Sequence, residues 1–273
     1  MINTSRTLAS SYLQTCAAFG ITPEVAAFST LNEKFNVHKT EVLSPLDQPI
    51  IQYIAIGNGG HYASVTEGNR TSITGVPRSN AAAALYNHIP YVLRRQDNDL
   101  TAAERTNYRL RRIEEYGGVT HVAYYLKKFT IGSQKPETII HTTDETTGVT
   151  TQIPYVPTIS DLHPSAPTGT SSSLIVSSIK IPFTLTQDEI DEITAATTIM
   201  YGTGNGIISE LGFVSGVDRV LTGNFNGTTG MYTEVVAAQL RSSINIGKLL
   251  DFGSGAGTTM IDVGTLDPLY TSI

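Results

Sequence analysis

Tyr108-Arg109-Leu110-Arg111-Arg112-Ile113-Glu114-Glu115-Tyr116-Gly117-Gly118-Val119-Thr120-His121-Val122-Ala123-Tyr124-Tyr125-Leu126-Lys127-Lys128-Phe129-Thr130-Ile131 is the stretch that decides the fold. Tyr108, Leu110 and Arg112 alternate with Arg109 and Arg111, and a second alternating run begins at Val119. Alternation with a period of two puts successive side chains on opposite faces of a strand, and a helix cannot use it. Tyr116-Gly117-Gly118 separates the runs with residues that tolerate a tight turn. The segment therefore reads as a hairpin of two long strands, and the rest of the chain is read around it.

Before the hairpin, Pro49-Ile50-Ile51-Gln52-Tyr53-Ile54-Ala55-Ile56 is a β-branched run closed by Gly57-Asn58-Gly59-Gly60, as expected of a buried strand ending in a turn. Residues 62–80 are polar and turn-rich. Ala81 to Leu85 reads as one helical turn leading into a strand over Tyr86 to Leu93, and Thr101 and Glu104 have capping-box spacing. Near the start, Leu8, Tyr12, Leu13, Cys16 and Ala17 recur at helical spacing up to Gly20, and Thr22-Pro23-Glu24 signals a second helix.

After the hairpin, residues 132–172 are rich in Thr, Ser, Pro and Gly, and read as an extended loop that lies across a neighbouring subunit. A β run over Ser173 to Leu185 follows. Thr186-Gln187-Asp188-Glu189 is a capping box opening a helix that passes Met200 and stops at Gly202. Strands are expected over Ile207 to Val214 and Met231 to Gly247 with a loop at 222–230, then a glycine-rich tail. The organisation expected is a helical arm (1–40), a first part of the β core (41–131), the extension (132–172), a second part with one helix (173–252) and a C-terminal arm (253–273). The fold class is mainly β (α+β) with a β-sandwich-like core.

Composition supports that class. Charged residues are 15% of the 273, and Gly, Thr, Ser and Asn make up the polar share, as in chains of strands and turns. The net charge of −6 has the wrong sign for nucleic acid, which needs a broad basic surface. A single cysteine, Cys16, leaves no intrachain disulfide. No stretch approaches the roughly 20 apolar residues of a membrane span, so a cytoplasmic site of synthesis and no membrane partner are expected.

Catalytic chemistry finds little footing. His38, His61, His88, His121, His141 and His163 are scattered with no His-Glu-x-x-His spacing, so no metal is expected. No Gly-x-Ser-x-Gly elbow is present. Leu249-Leu250-Asp251-Phe252-Gly253-Ser254-Gly255-Ala256-Gly257 resembles the glycine loop of S-adenosylmethionine-dependent methyltransferases, but too few residues follow it to complete a doubly wound sheet. The expectation is a non-enzyme with no cofactor and no small-molecule substrate. One constellation stands out: Arg94, Arg95, Arg105, Arg109, Arg111, Arg112, Lys127 and Lys128 place nearly half of the 18 basic residues on the hairpin and its lead-in. That cluster is either a solvated face or a surface for the carboxylates of a partner.

Tyr53-Ile54-Ala55-Ile56-Gly57-Asn58-Gly59, the hairpin over Tyr108 to Phe129, and Ile208-Ser209-Glu210-Leu211-Gly212-Phe213, in that order, resemble tail and baseplate proteins of bacteriophages. The resemblance covers about residues 50–215, with 132–172 as a departure. It implies a β-sandwich-like module joining tail fibres or wedge proteins to the tail, located in the virion and made in the host bacterial cytoplasm. Its partners would be other virion proteins and copies of itself, and it carries no catalytic residues. A neck, collar or head-decoration protein is the alternative place in the virion, and the methyltransferase the alternative of another class.

Overall fold

A computed structural model describes residues 5–66, 70–77, 79–144, 146–156, 172–202, 207–225, 227–250 and 257–269. The chain is mainly β, with antiparallel sheets and few helices, in agreement with the fold class expected of a sandwich-like core. It divides into two compact units, residues 1–130 with 184–258, and residues 131–183 with 259–273.

The first unit is built on β1 (Ser5–Arg6), β2 (Ile50–Gly57), β5 (His88–Ile89), β6 (Val92–Arg95), β7 (Tyr108–Tyr116), β8 (Val119–Lys128), β12 (Ile208–Phe225) and β13 (Thr228–Leu250). They form one sheet in the order β1-β13-β12-β2-β8-β6, with β5 beside β2 and β7 on β8. β7 and β8 are the expected hairpin, paired from Tyr108↔Lys127 to Tyr116↔Val119 around a turn in which Gly117 and Gly118 have φ of 59° and 76°. Such φ values cost a residue with a Cβ. Segment 62–80 departs from the expectation: β3 (His61–Thr66) and β4 (Arg70–Gly75) pair there as a separate two-stranded ribbon. Loop 222–230 is also shorter than expected, since β12 and β13 stay paired out to Phe225↔Thr228. Thr-rich polar sequence reads as loop in isolation, yet a long ladder satisfies its backbone as well as any apolar strand.

Helices cover this sheet. α1 (Leu8–Phe19) is capped by Thr7, whose hydroxyl accepts from Ser10 N–H, and ends at Gly20 in the left-handed region. The second helix, α2 (Leu31–Phe35), starts at Thr30 and not at the Thr22-Pro23 signal. The reason is tertiary. Asn32 docks into an irregularity of β13 where Ala237 has φ 50°, accepting from Ala238 N–H at 2.8 Å and donating to Val235 O at 2.9 Å. α3 (Gln187–Tyr201) has both halves of the expected capping box and ends at Gly202. Thr186→Ala is expected to cost about 1 kcal/mol, read as a shift in the urea midpoint. The interior joins Tyr53, Leu93, Leu110, Tyr125, Leu126, Val214, Val235 and Leu240 of the sheet to Leu31 and Phe35 of α2 and Ala196 of α3.

The sheet rolls until β7 meets β13, and a side chain bridges the seam. Leu110 has φ 54°, and its N–H donates to Glu234 at 2.6 Å. The same carboxylate accepts from Arg111 N–H and Val235 N–H, both at 2.8 Å. Three backbone donors are thus satisfied without a neighbouring strand.

The second unit contains β9 (Glu137–Thr143), β10 (Thr150–Pro154), β11 (Ser172–Leu185) and β14 (Gly257–Leu269), in the sheet order β10-β9-β11-β14. This corrects the expected structureless extension over 132–172: two of its stretches are paired strands, while residues 157–171 lie outside those described. Much of the expected C-terminal arm is strand β14. Gly253 and Gly255 of the methyltransferase-like stretch lie outside the described residues, and β2, β7, β8, β12 and β13 pair antiparallel, unlike a doubly wound sheet.

Candidate functional site

The basic side chains singled out on the hairpin are partnered within the chain. Arg94 donates to Glu192 at 2.6 Å, Arg95 lies 3.2 Å from Asp97, and Arg112 lies 3.1 Å from Glu114. Arg111 reaches Asp99 at 2.9 Å, with Arg105 3.9 Å from the same carboxylate. Lys127 sits 2.6 Å from Glu189, the capping residue of α3. Arg109 and Lys128 share Asp218 at 2.7 and 2.6 Å. An open basic face is therefore not what these residues build. The carboxylates that Arg94, Arg109, Lys127 and Lys128 face lie 62 to 109 positions away, so no sequence window contains both halves of those pairs.

Asp218 is the hub of this network. Arg109 grips it through Nε and Nη2 at 2.7 and 2.9 Å, Lys128 adds 2.6 Å and the Tyr53 hydroxyl 2.5 Å. Burial alone would raise its pKa, but hydrogen bonds from Arg109, Lys128 and Tyr53 bring it down to about 2. A depressed carboxylate contributes stability above its unfolded pKa, which is lost as the pH falls from about 4 toward 2. Asp218→Asn strands the Arg109 guanidinium, which is 4% exposed, and is expected to cost about 3–5 kcal/mol in denaturant titrations. For the same reason, charge reversal at Arg109 and Arg111, both buried, is expected to unfold the first unit.

A second polar cluster was invisible in the sequence. Glu210 of β12 is fully buried, and its carboxylate accepts from Gly59 N–H at 2.9 Å, Tyr86 N–H at 2.9 Å and Asn87 N–H at 3.0 Å. It joins the Gly57–Gly60 turn to the strand that carries Glu210, which are two of the stretches behind the phage resemblance. The glycines follow from this packing. A Cβ on Gly57 would lie 2.7 Å from the Glu210 carboxylate, and one on Gly60 would lie 2.3 Å from Ser209 O. The spaced glycines were the only signal, and they pointed to a turn and not to its partner.

The first unit also has a polar groove of about 650 Å³ lined by Arg94, Glu104, Tyr108, Lys127, Glu189 and Glu192 among others. Arg94 and Lys127 neutralise Glu192 and Glu189 within it. Among the described residues no group of three His, Cys, Asp or Glu is placed to hold a metal ion, and no helix is long and apolar enough to cross a membrane.

The second unit presents a different surface. Along β9 and β10 no side chain is buried, and Val149, Ile153 and Val156 are exposed. Register puts Ile140 opposite both Ile153 and Ile175, an isoleucine row across three strands. No charged residue occurs between Thr146 and Val156 or between Ser172 and Ile179. A sheet with stretches that lack charge, bury no side chain and leave apolar side chains open is unusual for a protein that works alone.

A family model described as "Family of unknown function (DUF7208)" matches residues 2–273. No curated protein and no solved structure matches the chain significantly.

Proposed function

We propose that this chain, which belongs to the DUF7208 family by a match over residues 2–273, is a structural subunit of a bacteriophage virion, seated in the tail at the baseplate or fibre-attachment region. It works through contacts with other virion proteins and needs no catalysis. The observation that carries the reading is the sheet of the second unit, where β9 and β10 bury no side chain and leave Ile153 and the flanking Val149 and Val156 open. A surface of that kind is stable when another subunit covers it. The motif resemblance adds the virion. Its two outer stretches are held together by Glu210, so the likeness follows a built feature of the first unit.

Electron microscopy of phage particles with gold-labelled antibody against the chain tests the reading. Label at the tail tip is the expected result. Label at the neck or spread over the capsid moves the protein to the collar or head, and particles without label overturn the proposal. Calorimetric binding of S-adenosylmethionine at micromolar concentration would overturn the non-enzymatic part.

A further inference from the structure

We propose that the face of β9, β10 and β11 bearing Ile140, Ile153 and Ile175 is a two-fold contact between two copies of this chain. The inference rests on the structural reading above and names the first partner of that surface.

The sheet offers edges and a face, and the β10 edge is guarded. Tyr155 N–H donates to Thr138 O and Asp144 N–H to Val149 O, so the odd-numbered residues of this strand turn their backbone groups toward β9. Pro154, one step out of phase, turns its missing N–H to the open side. Proline at that position removes a donor an added strand would need. Growth of the sheet past β10 is thus opposed, while the face remains.

That face is its own complement. The isoleucine row is flanked on one side by Thr151 and Thr142 and on the other by Tyr155, Thr138 and Ser177, the last two with hydroxyls 3.0 Å apart. Hydroxyl, isoleucine, hydroxyl is a pattern that reads the same in both directions along β9. A two-fold axis through the isoleucine row therefore sets isoleucine on isoleucine and hydroxyl on hydroxyl, as an isologous interface requires. Charge does not oppose that occupant. A charged partner would find no counter-charge on this face, whereas a second copy of an acidic chain approaches it here without repulsion. Glu137 stands at the start of β9, and His141, opposite Gln152, belongs to the reverse face.

Sedimentation of the chain of residues 1–273 at about 1–200 µM tests this, because one face of three strands makes a contact at the small end of specific interfaces. The wild type is expected to self-associate with a micromolar dissociation constant. Ile153→Lys, at an exposed position, is expected to weaken association at least 100-fold, and so is Thr151→Lys on the same face. Gln152→Lys, the residue between them on the opposite face, is expected to leave it unchanged. Far-UV circular dichroism checks that each variant is folded, and the exposed Thr151 substitution carries the test if Ile153→Lys is not. A wild type monomeric throughout the range overturns the inference, as does equal association of all variants or equal loss with Gln152→Lys. Chain absent from particles but dimeric through this face defeats only the virion reading, and chain on the tail that stays monomeric defeats only this one.

Discussion

Glu234→Ala is expected to lower the unfolding free energy by about 4 kcal/mol or more, enough to leave a chain of ordinary stability largely unfolded. The substitution strands the N–H groups of Leu110, Arg111 and Val235 in a place that water does not reach. Each such donor costs about 1–3 kcal/mol when unmet. Glu234→Gln keeps the shape but sets an amide NH2 against one of those N–H groups, so a smaller loss is expected. The pH dependence is distinctive. Burial lifts the Glu234 pKa to about 7, against the pull of the backbone donors and of Arg109. The folded pKa lies above the unfolded value, so the native state binds the extra proton, and stability falls as pH rises from about 4.5 to about 7. The span corresponds to about 3 kcal/mol. Asp218 acts in the opposite sense below pH 4, with its pKa held near 2. Urea midpoints are therefore expected to peak near pH 4–5, and the decline above that peak should disappear in Glu234→Gln. A flat profile in the wild type would contradict this account of the seam.

The second large effect is expected at Glu210. Glu210→Ala leaves the N–H groups of Gly59, Tyr86 and Asn87 without their carboxylate and is expected to cost about 4 kcal/mol. Gly60→Ala attacks the same contact from the other side, since its Cβ would press on the Ser209 carbonyl at 2.3 Å. Comparable losses in thermal midpoint, with the turn at Gly57–Gly60 becoming the first site of proteolysis, are the expected result. If Gly60→Ala melted like wild type, the close packing of that turn on β12 would be refuted.

These residues also mark where reading the sequence succeeded and where it stopped. The β7–β8 hairpin, the Thr186–Glu189 capping box and the stop at Gly202 were legible because each depends on residues within a few positions of one another. The cations of the hairpin were legible as residues but not as a site. Arg109 and Asp218 are 109 positions apart and Arg94 and Glu192 are 98 apart, so a paired network looked like an open basic face. The extension over 132–172 was misread for a related reason. Thr and Ser satisfy the alternation of a strand as well as the composition of a loop, and only the ladder from β9 to β10 and β11 separates the two.

By itself, then, the sequence determined the β class, the β7–β8 hairpin with its turn, the stops of α1 and α3 and the capped start of α3, because period, turn chemistry and capping act over a few residues. The tertiary structure decided which carboxylate neutralises which cation, that Glu234 closes the rolled sheet, and that Ile140, Ile153 and Ile175 fall in one row. Those outcomes depend on strand order and register, which bring distant residues within a few ångströms and are set by the packing of the whole core.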